Sequence, residues 1–313
     1  MTGLKTEQRA TDRIDQEQLR IVPLRHTWRW LAVAVVLALV AAIIKSAVSN
    51  PEFQWPVVAH YLLNPLILNG LRTTILLTIV VMILATIGGT IAALMMMSPS
   101  KLLSVPAATF VWFFRGTPAL VQLILWYNLS IVVKEVTVWL PWVGTLYSVS
   151  TNDIMTPLVS ATVALSLHES GYMAEIVRSG LKSVSKGQYE ASACLGMKPG
   201  MALRRIILPQ AMRMIIPPTG NETINLLKTT SLVSIIAVSD LLYSAQSIYA
   251  RTFETIPLLL VVSFWYLAVV SIMSVGQFYL ERHFSRDEHR NTGGVAATIL
   301  GNLTKLRRKE ALA

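Results

Sequence analysis

The chain has 313 residues, of which 53% are hydrophobic and only 14% charged, well below the roughly 25% charge of soluble domains. Its apolar residues fall in long blocks rather than in helical stripes, which excludes an ordinary soluble enzyme and points to a multi-span membrane protein. The formal net charge of +10 leaves nucleic acid as a second explanation of the basic balance, so the placement of the charges has to decide.

Residues 1–27 are polar, carry both signs of charge and read as a surface or disordered tail. The charged stretch is too long for a secretory leader, and no convincing cleavage site follows it. Residues 28–48 are almost all apolar and form a first membrane helix, anchored at the interface by Trp28 and Trp30. Residues 50–65 contain Pro51, Pro56 and Pro65 and read as an outside loop with an amphipathic piece. A second span covers 69–97, with Gly88-Gly89 for close helix packing, and 98–104 is a short polar turn. Residues 105–114 read either as a surface helix or as the start of a third span. Arg115-Gly116-Thr117-Pro118 follows, and Pro118 suits a helix first turn, so that span runs to about 133. Residues 134–153 read as a loop with the interfacial side chains Trp139, Trp142 and Tyr147. The fourth span, 156–177, is interrupted by His168 and Glu169. A polar loop leads to a fifth, weakly hydrophobic span at 217–238, an outside loop at 240–255, a sixth span at 257–278 and a basic tail at 281–313. Cys194 is the single cysteine, so an intrachain disulfide is impossible. No Cys/His metal site and no solenoid repeat is visible.

Six spans put both termini on one side, and the basic residues divide accordingly. Of the 27 Lys and Arg, six lie between Lys5 and Arg29, two are Lys101 and Arg115, seven lie in 178–213 and seven in 282–309. That places 22 on the expected cytoplasmic side, against Lys45, Arg72, Lys134 and Arg251 outside and Lys228 within a span. Positive-inside asymmetry explains the charge without nucleic acid.

The loop at 187–209 reads GQYEASACLGMKPGMALRRIILP. Glu190, Ala191 and Ser192 are followed after three residues by Gly196, then after nine by Ile206, and past Ile207 by Leu208-Pro209. Physically this describes a thin short helix, a glycine turn and a second short helix ended by Pro209. The pattern resembles the cytoplasmic coupling loop of ABC-importer permeases, with Ser192 in place of the usual second alanine. Further resemblance lies in Arg115-Gly116-Thr117-Pro118-Ala119-Leu120-Val121-Gln122, in 172–178, in Leu208-Pro209-Gln210-Ala211, and in Asn221 with Leu226-Leu227-Lys228-Thr229-Thr230-Ser231-Leu232. Thr229 stands where the family commonly has aspartate. Together these narrow the resemblance to the polar amino-acid uptake branch of type I ABC importers.

The resemblance implies an all-α integral membrane protein with about six transmembrane helices. A five-helix permease domain at 69–280 would follow the additional helix at 28–48, between the tails 1–27 and 281–313. It implies that Gly187, Gln188, Glu190, Ala191, Gly196, Leu208 and Pro209 form the ATPase-coupling surface. It also implies cytoplasmic ATPase subunits, a second permease subunit (identical or related) and an extracytoplasmic amino-acid-binding protein. The location would be the bacterial cytoplasmic (inner) membrane, multi-pass, with both termini cytoplasmic. The chain contains no Gly-x-x-x-x-Gly-Lys-Ser/Thr motif, so it is expected to be no enzyme and to hold no cofactor itself, ATP and Mg binding to the partner ATPase.

Ionisable groups inside spans are functional candidates by default. Here they are Glu169, Glu222 and Lys228, with His168 adjacent. His168, Tyr172 and Glu175 share one helix face at i, i+4, i+7, as do Asn221, Asn225 and Lys228, with Glu222 and Thr229 widening that stripe. One reading makes His168, Glu169, Asn221, Glu222, Asn225 and Lys228 a substrate path, with a carboxylate for an amino acid's ammonium and Lys228 for its carboxylate. The other pairs Glu169 or Glu222 with Lys228 as a purely structural tie. Met95-Met96-Met97 is apolar filler rather than a metal site, and Arg115 reads as a substrate contact or, beside the helix-starting Pro118, as an anchor at the cytoplasmic interface. An ion-coupled secondary amino-acid transporter could use the same acidic groups but has no need of the coupling loop, and no inverted repeat is visible. A membrane scaffold would leave the intramembrane charges without purpose.

Overall fold

The computed structural model describes residues 27–142 and 144–284. The tails expected at 1–27 and 281–313 lie outside this range except for Thr27 and residues 281–284. The described residues divide into two compact units, one up to Trp55 and one from Pro56 on. In the first, helix α1 (Thr27–Ser49) carries apolar residues on every side. The short 3-10 turn Pro51–Phe53 follows, started by Asn50, whose Oδ1 accepts from the Glu52 amide at 3.0 Å.

In the second unit, which takes up α2 (Trp55–Leu62) from Pro56 on, that helix is tied to the last one by Trp265, whose Nε1 donates to the Leu62 carbonyl at 2.8 Å. Helix α3 (Pro65–Met96) starts at Asn64, which accepts from the Leu66 amide, with Pro65 in its first turn, where a missing N–H costs nothing. Then come α4 (Lys101–Gly116), α5 (Ala119–Tyr127), α6 (Thr151–Ile154) and α7 (Pro157–Ser183), the last capped by Thr156. The core lies between α3 and α7, with Leu77, Val81, Ala85, Leu165 and Met173 buried in it. Small residues let these two helices approach closely: a Cβ built on Gly89 would stand 2.5 Å from the Met173 Cβ and 2.8 Å from the Ala174 amide nitrogen.

Several expected loops are structured. Residues 134–153 contain an antiparallel hairpin, β1 (Glu135–Leu140) with β2 (Gly144–Ser150), in which Glu135 faces Ser150. The run Val136-Thr137-Val138-Trp139 suits a strand, and positive φ at Trp142 (80°) and Gly144 (85°) makes the return. Residues 105–114 belong to α4, a helix in its own right that turns through 105° into α5. The expected outside loop at 240–255 is mostly α11 (Leu241–Thr252), whose buried cap Asp240 accepts from the Tyr243 amide at 2.8 Å. Its Ser, Ala and Gln content hides a helix in a stretch of low hydropathy.

The fifth span also begins earlier than expected. Helix α8 (Lys186–Cys194) is followed by α9 (Pro199–Ala202), and from there a π turn at Leu203–Ile207 runs directly into α10 (Leu208–Thr229). The helix then tightens to 3-10 at Thr230–Ile236 and stops at Ala237, which adopts φ 61°. The final helix, α12, is Thr255–Phe284. Pro217 and Pro218 stand inside α10 and remove two backbone donors. Gln277 of α12 braces this stretch: its Nε2 donates to the Pro217 carbonyl at 2.7 Å and to Glu281 Oε1 at 2.8 Å. Gly220 provides the room, because a Cβ there would collide with the Gln277 amide. Replacing Gln277 by leucine is expected to cost about 1–2 kcal/mol, the loss of a buried carbonyl's partner. Thermal unfolding of the detergent-solubilised protein measures it, and an unchanged midpoint would show the brace to be dispensable.

Among the described residues two helices, Pro65–Met96 and Thr255–Phe284, are each long and apolar enough to cross a membrane, and up to five crossings result if each bent pair of helices is one span. Helix α7 carries Glu169, Glu175, Arg178 and Lys182 and is not among them.

Candidate functional site

The α8–α10 loop is built around its glycine. Helix α8 ends in a backbone reversal in which Gly196 takes φ +69°, the Gly196 amide donates to the Ala193 carbonyl at 2.9 Å and the Met197 amide to the Ser192 carbonyl at 3.1 Å. Nothing lies within 4 Å of a Cβ placed on Gly196, so the demand for glycine there comes from the backbone and not from crowding. Ser192, which replaces the pattern's second alanine, is buried, and its hydroxyl folds back onto the Tyr189 carbonyl. Tyr189 in turn donates to the Leu181 carbonyl of α7 at 3.2 Å. Gln210 Nε2 reaches Gln188 Oε1 at 3.4 Å, so two glutamines from separate stretches of the sequence pattern fasten α8 to α10.

The seven residues singled out in this loop, Gly187, Gln188, Glu190, Ala191, Gly196, Leu208 and Pro209, are all exposed. Around them Leu195 (78% exposed), Met201, Leu203 and Leu208 present apolar surface. Pro209 does not end the second short helix as expected. It lies in the first turn of α10, just after the π turn has shifted the hydrogen-bond register, and there a proline lacks only a donor that the turn does not use.

The six polar residues singled out within the membrane separate into three groups. Glu169 on α7 is 4% exposed, and the half-buried Glu222 of α10 lies within hydrogen-bonding reach of it. Glu169 Oε1 has no partner. Asn221, Asn225 and Lys228 form an exposed stripe on α10. Among the described residues no ion pair reaches Lys228 or Glu169, so the expected structural tie between Lys228 and an acidic residue is not formed. The helix periodicity sets Glu222 off the Asn221/Asn225/Lys228 face, and it is Glu222 that meets α7.

His168 turns away from this pair. It lies beside the backbone of Phe114, its ring stands 5.3 Å from that of Tyr172, and its Nδ1 has no partner. It thus belongs to the corner between α4 and α5. That corner is fixed by Gln122, 2% exposed, whose Nε2 donates to the carbonyls of Phe114 (3.0 Å) and Thr117 (3.1 Å) and to Thr117 Oγ1 (2.6 Å). Where the chain breaks at Pro118 the carbonyls of α4 lose their helical donors, and one side chain restores them. The signal for Gln122 was an amide side chain four residues after Pro118 in an otherwise apolar segment. Arg115 leaves the same corner toward α7, where its guanidinium lies 5.5 Å from the Tyr172 ring centroid and 3.7 Å from Glu175 Oε1.

Residues 85–286 match the family model of the binding-protein-dependent transport system inner membrane component. The chain is similar to the arginine transport system permease protein ArgU of Corynebacterium glutamicum, with 45% identity over 269 residues, covering 86% of this chain and 84% of that one. It is 34% identical to the probable amino-acid ABC transporter permease protein YckA of Bacillus subtilis, over 71% of this chain and 90% of that one. Among solved structures, that of an amino acid ABC transporter with histidines matches at a TM-score of 0.60 and 32% identity, covering 70% of this chain and 94% of that chain.

Proposed function

The chain belongs to the family of binding-protein-dependent transport system inner membrane components and is a permease subunit of an amino-acid ABC transporter, and on that footing we propose that it carries a cationic amino acid of the arginine type between α7 and α10. The observation that carries this reading is the juxtaposition of Glu169 and Glu222, with Glu169 buried and without a cationic side-chain partner. Two carboxyl groups at one place favour a guanidinium or ammonium, which supplies both charge and donors. The exposed stripe of Asn221, Asn225 and Lys228 would guide the amino acid's carboxylate along the same route, and His168 would border it. The relative that transports arginine supports the same substrate class.

In this reading the exposed α8–α10 loop docks on a cytoplasmic ATPase, which holds ATP and Mg, while this chain holds no cofactor. A second permease subunit completes the path, and an extracytoplasmic binding protein delivers the substrate. The distribution of 22 of 27 basic residues supports six crossings of the inner membrane with both termini cytoplasmic. The permease domain would span 69–280, preceded by the helix at 28–48.

Gly196→Asp forces a Cβ into a left-handed backbone at about 1–2 kcal/mol, and Glu190→Lys reverses the single acidic charge between residues 178 and 213. Both variants are expected to insert normally while ATPase co-purification, ATP hydrolysis stimulated by the loaded binding protein, and labelled-arginine uptake fall together. Wild-type values in all three would remove the loop from the mechanism. ATP-independent uptake driven by an ion gradient would establish the secondary-transporter reading instead.

A further inference from the structure

We infer that Arg115 is a positioning residue of the transport cycle: it holds the α4–α5 corner against α7 through Glu175, and releases it by leaving Glu175 to Arg178. This rests on the ATP-driven transport reading.

The two oxygens of Glu175 serve different arginines. Oε1 faces Arg115 Nη1 at 3.7 Å, across from another element. Oε2 accepts from Arg178 Nε at 2.9 Å and from its Nη2, three residues along the same helix. The two bonds differ in what motion does to them. Arg178 travels with Glu175 whenever α7 moves, so that pair persists. The pair to Arg115 breaks as soon as the corner separates from α7. A carboxylate with one partner would then be stranded in a partly dry site, which is what makes breaking buried ion pairs costly. Here the second arginine prevents that, and Arg115, whose side chain is 44% exposed, is free to rotate into water. The contact can therefore break without stranding the Glu175 carboxylate, as a switching element requires.

The surroundings suit a part that moves as a body. Gln122 locks the corner internally through its three hydrogen bonds, so release at Arg115 displaces the corner whole. The arginine stem crosses α7 at Gly171, where a Cβ would lie 3.1 Å from Arg115 Cγ and 3.4 Å from Phe114 Cβ. At Gly171 the contact is thus shallow. The corner also touches His168, the neighbour of Glu169. Its position is felt one residue from the carboxyl pair, and Glu175 itself is about 9 Å further along α7 at the helical rise.

The test uses the complete complex of permease, ATPase and binding protein in liposomes, with ATP hydrolysis and arginine uptake measured on the same preparation. Arg115→Met removes the cross-element hold. Basal hydrolysis without binding protein is expected to rise about fivefold and uptake per ATP to fall about as much, at the lower end of coupling effects between sites. Arg178→Met acts in the opposite sense. It leaves Arg115 as the only partner of Glu175, so release slows: maximal uptake falls about fivefold with KM unchanged, and basal hydrolysis does not rise. Arg115→Lys, which keeps the charge but not the guanidinium over the Tyr172 ring, recovers part of the uptake per ATP.

A role in stability alone would lower the melting temperature in both variants and leave uptake per ATP constant. That result, or the same change in both variants, overturns the inference. If Arg115→Met fails to assemble, Arg178→Met decides, since it keeps the cross-element pair; wild-type maximal uptake there rejects the handover. A wild-type complex without ATP-dependent uptake would instead reject the transport reading itself.

Discussion

Replacing Gly89 by alanine is expected to lower the melting temperature of the solubilised protein by about 5 °C, corresponding to about 3 kcal/mol at this chain length. The added methyl would stand 2.5 Å from the Met173 Cβ and 2.8 Å from the Ala174 amide nitrogen. One is fixed to the backbone and the other is backbone, so no rotamer change relieves the contact. Helices α3 and α7 must move apart, and Ala85, Ala92, Ala93 and Ala174, all buried at this seam, lose dispersion contacts that small residues make only at short range. Gly88→Ala is the control. Its methyl would meet Ser170 Oγ at 2.6 Å and the Ser170 Cβ only at 3.4 Å, so a rotation of one hydroxyl relieves most of the conflict, and the cost is expected to stay under about 1 kcal/mol. Equal midpoints for the wild type and Gly89→Ala would show that the seam is looser than its geometry implies.

Glu169→Gln is expected to reduce arginine uptake at subsaturating substrate about thirtyfold, while the assembled complex and substrate affinity of the binding protein stay as in the wild type. A charge-assisted hydrogen bond in a dry site is worth about 2 kcal/mol, which converts to that factor. Glu222→Gln changes uptake in the same direction by less, because Glu222 is half-exposed and water can substitute for it. The comparison with a neutral amino acid is informative: a site built for a cation loses arginine transport more than glutamine transport. Undiminished uptake in Glu169→Gln would exclude a role for this carboxyl in the path. Loss of assembly would assign it to helix packing.

Uniformly apolar stretches were legible in the sequence, and structured polar ones were not. The spans at 69–97 and 257–278 correspond to α3 and α12 within a few residues, and Gly88-Gly89 was correctly read as a packing seam. The hairpin at 135–150 was hidden because Trp139, Trp142 and Tyr147 suit a membrane interface as well as a strand. Helix α11 was hidden because its Ser, Ala and Gln residues carry little hydropathy. In the loop, the turn at Gly196 was legible through the resemblance to the coupling-loop pattern. The role of Pro209 was not, since proline is as much at home in a helix's first turn as beyond its end.

The intramembrane residues show the same limit. Periodicity placed Asn221, Asn225 and Lys228 on one face, but it could not say that Glu222, one position on, is the residue that meets α7. Nor could it pair Arg115 with Glu175 across 60 positions of the sequence, because that contact depends on a 105° turn with no local signature beyond Thr117-Pro118.

The unbroken passage from α9 through the π turn into α10 has a mechanical consequence. A hinge of loose residues between the surface loop and the transmembrane helix would absorb a push; a continuous helix does not. From Pro199 to Glu222 the backbone is helical throughout, a strut of roughly 35 Å at the helical rise. Tilting its outer end swings its inner end through an arc, as a crank does. The wide turn at Leu203–Ile207 is the compliant collar in that crank, since its five-residue hydrogen bonds yield more readily than the tighter ones on either side. The loop and the buried carboxyl pair are therefore parts of one lever, and a force on its exposed arm needs no relay of side chains to reach Glu222.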